Sequence, residues 1–317
     1  MSRSMQDSRL RSVERVNRIF AQAIAEKYFD IQATAAELPS ERDQNFLLEA
    51  CDGEKFVLKI ANVFEERAVL EAQNAMMAHL AERVSFCPRV VAALSGEQIV
   101  VVEGHLVRLL THLPGQPLAR VAVQTPELLY DLGRKLGQLS SALVGFDHAA
   151  AHRAFYWDLG QGQKMLRMYG GEIKADWLRE VVTAYSVEGF TEQLRRSVIH
   201  GDANDYNVLV DSENVVGLID FGDIVYGYTV GDLAIAVAYA VLGKEDPYAA
   251  AQPVIDGYRE QFPLTEYERD AVWPLVRLRL CMSVCIAAHQ QAQQPENEYL
   301  GISQTLIAET LPRLMNS

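Results

Sequence analysis

Apolar and polar positions follow helical spacing near the start of the chain and strand-like runs soon after it. An apolar stripe with a period near 3.6 predicts a helix over residues 12–29. Apolar runs at residues 46–50 and 56–60 flank the turn Cys51-Asp52-Gly53-Glu54, and Asp-Gly between such runs is a strong hairpin signal. The first hundred residues are therefore expected to contain a helix and an antiparallel sheet.

Further strands are predicted at residues 98–102 and 105–110, on either side of Glu103-Gly104. Pro114-Gly115 then ends regular structure. Helical patterns dominate the rest of the chain, apart from one short stretch described below. The predicted helices cover residues 65–83, 126–143, 178–194, 233–242, 247–262, 265–292 and 297–315.

The exception, residues 197–223, carries the candidate chemistry. Apolar residues lead into His200-Gly201-Asp202, and a turn at residues 211–214 joins two short strands. This hairpin would bring Asn207, before its first strand, close to Asp220, after its second. Because Mg²⁺ takes oxygen ligands and commonly binds one or two carboxylates plus substrate phosphates, Asn207 and Asp220 are candidate metal ligands. Asp202 would remain available to accept a proton from a substrate hydroxyl.

These residues resemble the catalytic core of the kinase fold, and the His-Gly-Asp form looks like that of the aminoglycoside phosphotransferase and choline kinase group. The resemblance implies an α+β, bilobal protein-kinase-like fold. An N-terminal antiparallel sheet lobe would bind nucleotide (residues 1–113), and a mainly helical C-terminal lobe would carry catalysis and acceptor binding (residues 114–317). It also implies Mg²⁺ and a nucleoside triphosphate, ATP or GTP, with Asp202 as the catalytic base.

The same resemblance suggests a set of nucleotide-binding residues. Lys59, near the end of an apolar strand, is the candidate phosphate-binding lysine; the alternative is a lysine that points to solvent from an edge strand. The polar stretch from Ser40 to Asn45 is similar to the turn that covers the phosphates, or is a plain hairpin turn. Leu110 and His112 lie where the family contacts the nucleotide base.

One position departs from the kinase pattern. Kinases place a glutamate on the helix after the lysine strand, whereas this chain has Gln73 there. Either Gln73 orients Lys59 through a neutral hydrogen bond, or the helix register differs and Glu71 or Glu66 takes that role.

Several polar residues outside the central stretch need partners. Asp232 is placed at a helix N-cap, and the resemblance implies that it braces the catalytic loop. Arg277 and Arg279 interrupt a long apolar helix and would bind either a substrate carboxylate or an internal acid, the latter being favoured. The aromatic segment at residues 152–159 either lines the acceptor pocket or packs on the lobe, with packing favoured.

Composition narrows the partners. The 317 residues carry a net charge of −13, which argues against nucleic acid or an anionic membrane as a partner. It mildly favours a cationic or zwitterionic acceptor, although solubility is the favoured explanation of the charge. Asp158, Asp205 and Asp223 are candidate contacts for an ammonium group. No secretory segment and no uninterrupted apolar run of about 18 residues is found, so a cytoplasmic location is expected.

The finer resemblance concerns the acceptor. Arg-Asp-Gln-Asn-Phe (42–46), Phe-Val-Leu-Lys-Ile (56–60) and Val-Arg-Leu-Leu-Thr (107–111) look most like hydroxylysine kinases and kinase domains fused to class III aminotransferases. This implies a small amino alcohol or hydroxy amino acid as acceptor, with 5-hydroxy-L-lysine first. Homoserine, choline, ethanolamine or an aminoglycoside remain alternatives, as does a non-catalytic nucleotide-binding pseudokinase.

Overall fold

The computed structural model describes residues 16–40, 42–187, 189, 191–293 and 301–315, and the chain divides into two units. The first unit comprises the chain up to Glu82 together with Cys87–Leu113. The second comprises Arg83–Phe86 and the chain from Pro114 onward.

The first unit is built on an antiparallel sheet with strand order β1-β2-β3-β6-β4, in which β5 also pairs with β6. Its strands are β1 (Ala33–Leu38), β2 (Gln44–Ala50), β3 (Lys55–Ile60), β4 (Val90–Val91), β5 (Val100–Val102) and β6 (His105–Thr111). The predicted strands are confirmed, but β1 was not predicted. Its sequence, Ala-Thr-Ala-Ala-Glu-Leu, shows no apolar alternation, and pairing with β2 holds it as a strand.

Two helices belong to the same unit. Helix α1 (Arg18–Phe29) is capped at its start by Asn17, whose side chain accepts the Phe20 N–H, and at its end by Asp30, which lies in the left-handed region. It packs Ala21, Ile24 and Ala25 into the sheet core. The predicted start at residue 12 lies outside the described residues. Helix α2 (Arg67–Ala81) falls within its predicted range.

The second unit is mainly helical. Its helices are α3 (Pro126–Ala142), α4 (Gly162–Tyr169), α5 (Asp176–Ala184), α6 (Gly231–Ala240), α7 (Pro247–Gln261), α8 (Glu266–Gln293) and α9 (Gln304–Met315). The prediction was wrong for α5, which ends ten residues early, and it missed α4. Residues 294–300, at the predicted start of the last helix, lie outside the described part of the chain.

Glycines allow two of these helices to pack closely. A Cβ on Gly133 of α3 would lie 2.0 Å from the backbone oxygen of Val254 in α7. A Cβ on Gly257 of α7 would lie 2.1 Å from the backbone oxygen of Tyr130 in α3. Backbones at this separation leave no room for a side chain. The pair α3–α7 therefore depends on glycine at both crossing points.

Short strands supply the rest of the unit. The predicted hairpin is present as β9 (Val208–Asp211) and β10 (Asn214–Leu218), and β7 (Gln116–Pro117) extends it. A second pair joins β8 (Arg196–Ile199) to β11 (Val225–Tyr228). The loop from β8 to β9 and the segment after β10 carry the candidate catalytic residues.

Helix α8 passes beside this region. Among the described residues it is the one helix long and apolar enough to cross a membrane, and 83% of its most apolar window is buried inside the protein. Such burial is the property of a core helix, and it places Arg279 inside the second unit, whereas Arg277 is only partly buried.

Candidate active site

The loop that follows β8 is held by a buried aspartate. Asp232 accepts hydrogen bonds from the backbone N–H groups of His200 (3.1 Å) and Gly201 (2.8 Å). The predicted bracing role is therefore present, but Asp232 is not the N-cap of α6. The helix begins one residue earlier, at Gly231, and Val230 occupies the N-cap.

His200 fixes the two halves of the loop to each other. Its Nδ1 accepts the Asp202 N–H (3.2 Å), so the ring proton lies on Nε2, which donates to the Ile219 oxygen (3.1 Å). Burial lowers the pKa of His200, which keeps the ring neutral in this role. The histidine is thus a structural link between the loop and the end of β10.

Gly201 is required by both conformation and space. Its φ is +81°, in the region that disfavours side chains, and a Cβ there would lie 2.5 Å from the backbone oxygen of Asp223. An arginine, which protein kinases place at this position, has no room in this backbone.

Asp202 lies in a network of donors. Its Oδ2 accepts from the side-chain amides of Asn204 (2.9 Å) and Asn207 (2.8 Å), and its Oδ1 accepts from Arg279 (2.6 Å). Burial raises the pKa of the Asp202 carboxyl above its usual range, while the Arg279 guanidinium opposes that rise. The carboxylate is held in one orientation and is 18% exposed, so solvent reaches it.

Asn207 and Asp220 lie at the same end of the hairpin as Asp202. The Ile219 N–H donates to the backbone oxygen of Asn207 (2.9 Å), and this bond joins the two ends of the β9–β10 pair. Asp220 has φ +62°, a costly conformation for a residue other than glycine and one often found at functional positions. Its negative charge contributes to the raised pKa of Asp202. The structure thus brings Asp202, Asn207 and Asp220 together.

The donor set here fits a hard divalent cation. Both side-chain hydrogen bonds of Asn207 are donated by Nδ2, which leaves its amide oxygen, a suitable ligand, for another partner. Within the described ranges, no group of three or more His, Cys, Asp or Glu side chains is placed to hold a metal. A cation would therefore need Asn207 and oxygens from a bound substrate as well as Asp220.

For Arg279 the sequence predicted the kind of partner, an acidic group, but not which residue supplies it. The favoured internal acid is confirmed, and it is Asp202 itself. The guanidinium carbon lies 4.4 Å from the ring centre of Trp157 and 5.7 Å from that of Tyr239. An arginine inside an apolar helix indicated that a partner was needed, but the sequence could not predict which residue it was.

The aromatic segment both packs and reaches the site. Phe155 packs with Ile199 and Val225, whereas Trp157 covers Arg279. Arg153 donates to the backbone oxygens of Gly222 (2.8 Å) and Ile224 (3.2 Å) and so holds the segment that follows Asp220. No pattern in the sequence indicated this role for Arg153.

The predicted nucleotide-binding residues lie in the first unit. Asn45 and Lys59 are directly opposite each other on β2 and β3, so their side chains share a face of the sheet, and both are largely buried. Ser40 lies between β1 and β2. Leu110 is on β6, and the His112 N–H follows it and donates to the Lys55 oxygen.

The glutamine on α2 has a different partner from the one proposed. Gln73 Oε1 accepts from Arg108 (2.6 Å), and Asn74 Oδ1 accepts from the same guanidinium (2.8 Å). Glu71 forms an exposed pair with Arg67. Gln73 thus bonds to the buried Arg108 of β6.

Comparison with known proteins identifies the class. Residues 34–273 match the phosphotransferase enzyme family (APH). The chain belongs to this family. It is a small-molecule kinase, an enzyme that transfers a phosphoryl group to a hydroxyl group. The expectation of such an enzyme is confirmed.

Individual phosphotransferases of this kind resemble it along most of its length. A hydroxylysine kinase of Danio rerio is 32% identical over 304 residues, covering 87% of this chain and 85% of the relative. A homoserine kinase of Methylobacillus glycogenes is 28% identical over 222 residues, covering 68% and 67%. The structure of an amicoumacin kinase in complex with AMP-PNP, Ca²⁺ and Ami has a TM-score of 0.68 at 13% identity, covering 99% of this chain and 95% of that one. This likeness confirms the kinase-like α+β fold.

Proposed function

We propose that this phosphotransferase moves the γ-phosphoryl group of ATP or GTP to the hydroxyl of a hydroxy amino acid or small amino alcohol, with 5-hydroxy-L-lysine as the first candidate. The observation that carries the proposal is the convergence of Asp202, Asn207 and Asp220 in a chain that is 32% identical to a hydroxylysine kinase. The first unit is proposed as the nucleotide-binding lobe and the second as the catalytic lobe.

In this proposal Asp202 is the catalytic base. The carboxylate accepts the hydroxyl proton as the acceptor oxygen bonds to the γ-phosphorus, and the bond from that phosphorus to the bridging oxygen breaks. Asn204, Asn207 and Arg279 hold the carboxylate in place for that transfer. Positioning of this kind supplies much of the catalysis in phosphoryl transfer.

The remaining roles concern the nucleotide. Asn207 and Asp220 would hold Mg²⁺, which supplies positive charge to the phosphates when bound. Lys59 would neutralise phosphate oxygens, and Ser40 and Asn45 would contact them. Leu110 and His112 would meet the base through their backbone. These assignments rest on the sequence resemblance and on the burial and register of the residues.

A coupled assay with purified protein tests the proposal. Mg²⁺-ATP and Mg²⁺-GTP are each combined with hydroxylysine, homoserine, choline, ethanolamine and kanamycin, with Asp202→Asn as the inactive control. Turnover of hydroxylysine well above the others supports the first candidate. Preference for homoserine would support the second candidate, for which the Methylobacillus relative is the evidence. No turnover of any acceptor would refute the proposal.

The proposed location is the cytoplasm. The burial of α8 inside the second unit and the acidic charge support it.

A further inference from the structure

Arg279 is an incompletely paired cation in the interior of the second unit. Its side chain is 2% exposed; within the described residues, one terminal nitrogen donates a hydrogen bond to Asp202, and the Tyr239 side chain is a second polar neighbour. Within the described part of the chain, Nε and the other terminal nitrogen, NH1, have no hydrogen-bond partner and are shielded from solvent. A buried donor without an acceptor is costly, and native structures keep few of them without a functional reason.

The surroundings of Arg279 make it suitable for one class of ligand. The rings of Trp157 and Tyr239 lie beside the guanidinium, with centres 4.4 and 5.7 Å from its carbon, and two of its three nitrogens remain without an acceptor in the described chain. Asp202, Trp157 and Tyr239 are each partly exposed, so solvent borders the site beside the arginine. The planar fork of N–H donors on a guanidinium matches the two oxygens of a carboxylate.

An acceptor for ammonium lies nearby. Asp205, three residues after Asp202, has a buried Oδ1 without a hydrogen-bond partner in the described chain. Its charge reaches Tyr239, the same ring that flanks Arg279. The second unit therefore offers a cation in contact with the proposed base and an anion three residues after it, and both interact with Tyr239.

We infer that Arg279 binds the carboxylate of the acceptor and that Asp205 binds an ammonium group, so that the acceptor is a hydroxy amino acid rather than an amino alcohol. This inference rests on the proposed function and selects one acceptor class within it. Asp202 occupies one end of the guanidinium, and the carboxylate takes the N–H groups that Asp202 leaves. Because these groups are shielded from solvent, a neighbouring side chain moves aside when the acceptor binds. The acceptor hydroxyl is thereby placed beside the base by the same arginine that orients it.

Binding of matched ligand pairs tests the inference without requiring turnover. Isothermal titration calorimetry compares 5-hydroxy-L-lysine with the diamino alcohol that lacks its carboxylate, and homoserine with aminopropanol. We expect the full-length protein to bind at least one amino acid about 10- to 100-fold more tightly than its carboxylate-free partner, the range expected for hydrogen bonds to a charged group.

Variants assign that preference to Arg279. Arg279→Gln should bind both members of a pair equally weakly, and Arg279→Lys should keep only part of the preference because lysine lacks the planar fork. Arg277→Lys is the matched control: Arg277 lies on the same helix but donates to the Leu314 oxygen and the Tyr248 hydroxyl, so the preference should remain. Circular dichroism checks that each variant is folded.

Three results would overturn the inference. They are equal binding of both members of each pair by the unmodified protein, an unchanged preference in Arg279→Gln, and no binding of either amino acid. The turnover assay is scored separately: phosphorylation of a carboxylate-free acceptor with no carboxylate preference would reject this inference and leave the proposed phosphotransfer intact.

Discussion

At the residue scale, Asp202 divides its carboxylate between two kinds of donor. Neutral amides from Asn204 and Asn207 hold one oxygen, and a charged guanidinium from Arg279 holds the other. Hydrogen bonds from three directions restrict the rotation of the carboxylate, which a base needs in order to meet a substrate proton at a fixed place.

Loss of the Asp202 charge gives the first prediction. Asp202→Asn keeps the size of the side chain but removes its ability to accept a proton, so kcat should fall by about 10²- to 10⁴-fold. Nucleotide affinity, measured by calorimetry, should stay nearly the same. Asp211→Asn, at the exposed far end of β9, is the control and should keep full activity. A fully active Asp202→Asn enzyme would reject the base assignment.

The second prediction concerns Gly201 and separates backbone strain at positive φ from a steric clash of the added Cβ. Gly201→Ala and Gly104→Ala both place a Cβ on a residue with positive φ, at +81° and +84°. Only the first places it 2.5 Å from a backbone oxygen, whereas the second has nothing within 4 Å. Gly201→Ala should therefore lose about 1–3 kcal/mol more free energy of unfolding, the usual cost of overpacking. Equal losses in denaturant titrations would contradict this account.

The candidate residues of the central stretch could be predicted because their spacing is local. Asp202, Asn207 and Asp220 are joined by one short hairpin, so sequence distance fixes their spatial neighbourhood. Arg279 lies 77 positions from Asp202, and no local pattern relates them. The partner of Gln73 was missed for the same reason, since Arg108 is 35 positions away.

At the element scale, the start of α8 is tied to the start of β8. Thr265 and Glu268 form a capping box: the Thr265 N–H donates to Glu268 (2.9 Å), and the Glu268 N–H donates to the Thr265 hydroxyl (3.2 Å). Arg195, just before β8, donates to both Glu268 oxygens (2.8 and 2.5 Å). This bond links the helix that carries Arg279 to the strand that leads to Asp202.

The third prediction is that this link stabilises the fold. Arg195→Ala leaves the buried Glu268 carboxylate without its charged partner and should lower the free energy of unfolding near neutral pH by about 2 kcal/mol. Arg259→Ala, which removes an exposed pair with Asp256 at 3.7 Å, is the control and should cost less than about 0.5 kcal/mol. Similar losses in the two variants would show that Arg195 acts only as a surface charge.

The pH dependence of that effect follows from Glu268. Burial raises the pKa of Glu268. The hydrogen bonds and charge of Arg195 and the hydrogen bonds from Thr265 lower this pKa by more than burial raises it, so it lies below its ordinary value of 4.5. A carboxylate with a lowered folded-state pKa stabilises the protein above its unfolded-state pKa and loses that contribution as pH falls through the folded-state value. The difference between the original protein and Arg195→Ala should therefore shrink below about pH 4.5.

Helix α3 was predicted well from its own apolar period, whereas strand β1, which depends on pairing with β2, was not predicted. Helix α3 shows buried leucines at helical spacing and a Thr125 cap, and its bounds match the prediction within one residue. Strand β1 has no such pattern and exists through its pairing with β2. Helix α5 ends at Ala184, earlier than predicted. The next residue, Tyr185, donates its hydroxyl to the backbone oxygen of Pro274, 89 positions away.

At the scale of the whole molecule, the sequence indicates one boundary between the two units but not the other. Pro114-Gly115 interrupts regular structure where the second unit resumes. The transfer of Arg83–Phe86 to that unit has no local signal, because it depends on remote contacts. The Leu218 N–H donates to the Phe86 oxygen (2.8 Å), and the Lys135 ammonium lies 5.3 Å from the Phe86 ring centre.

The fourth prediction concerns two residues with proposed roles in nucleotide binding, Lys59 on β3 and Asp220 after β10. Calorimetry with ATP and GTP should show that excess EDTA weakens binding to the original protein by at least about 10-fold, because the metal no longer offsets the phosphate charge. Asp220→Ala should be weak with or without Mg²⁺. Lys59→Ala should bind less tightly but keep its response to Mg²⁺, since it removes a phosphate contact and leaves the metal ligands intact.

Asp211→Ala is the matched control for Asp220, because it removes an exposed aspartate from the opposite end of the same hairpin, and its affinity should be unchanged. If Asp220→Ala kept its Mg²⁺-dependent affinity, Asp220 would not be a metal ligand, and its left-handed backbone would then need another explanation. If instead Lys59→Ala bound normally, the buried lysine of β3 would serve the sheet of the first unit rather than the phosphates, and only the assignments in the second unit would stand.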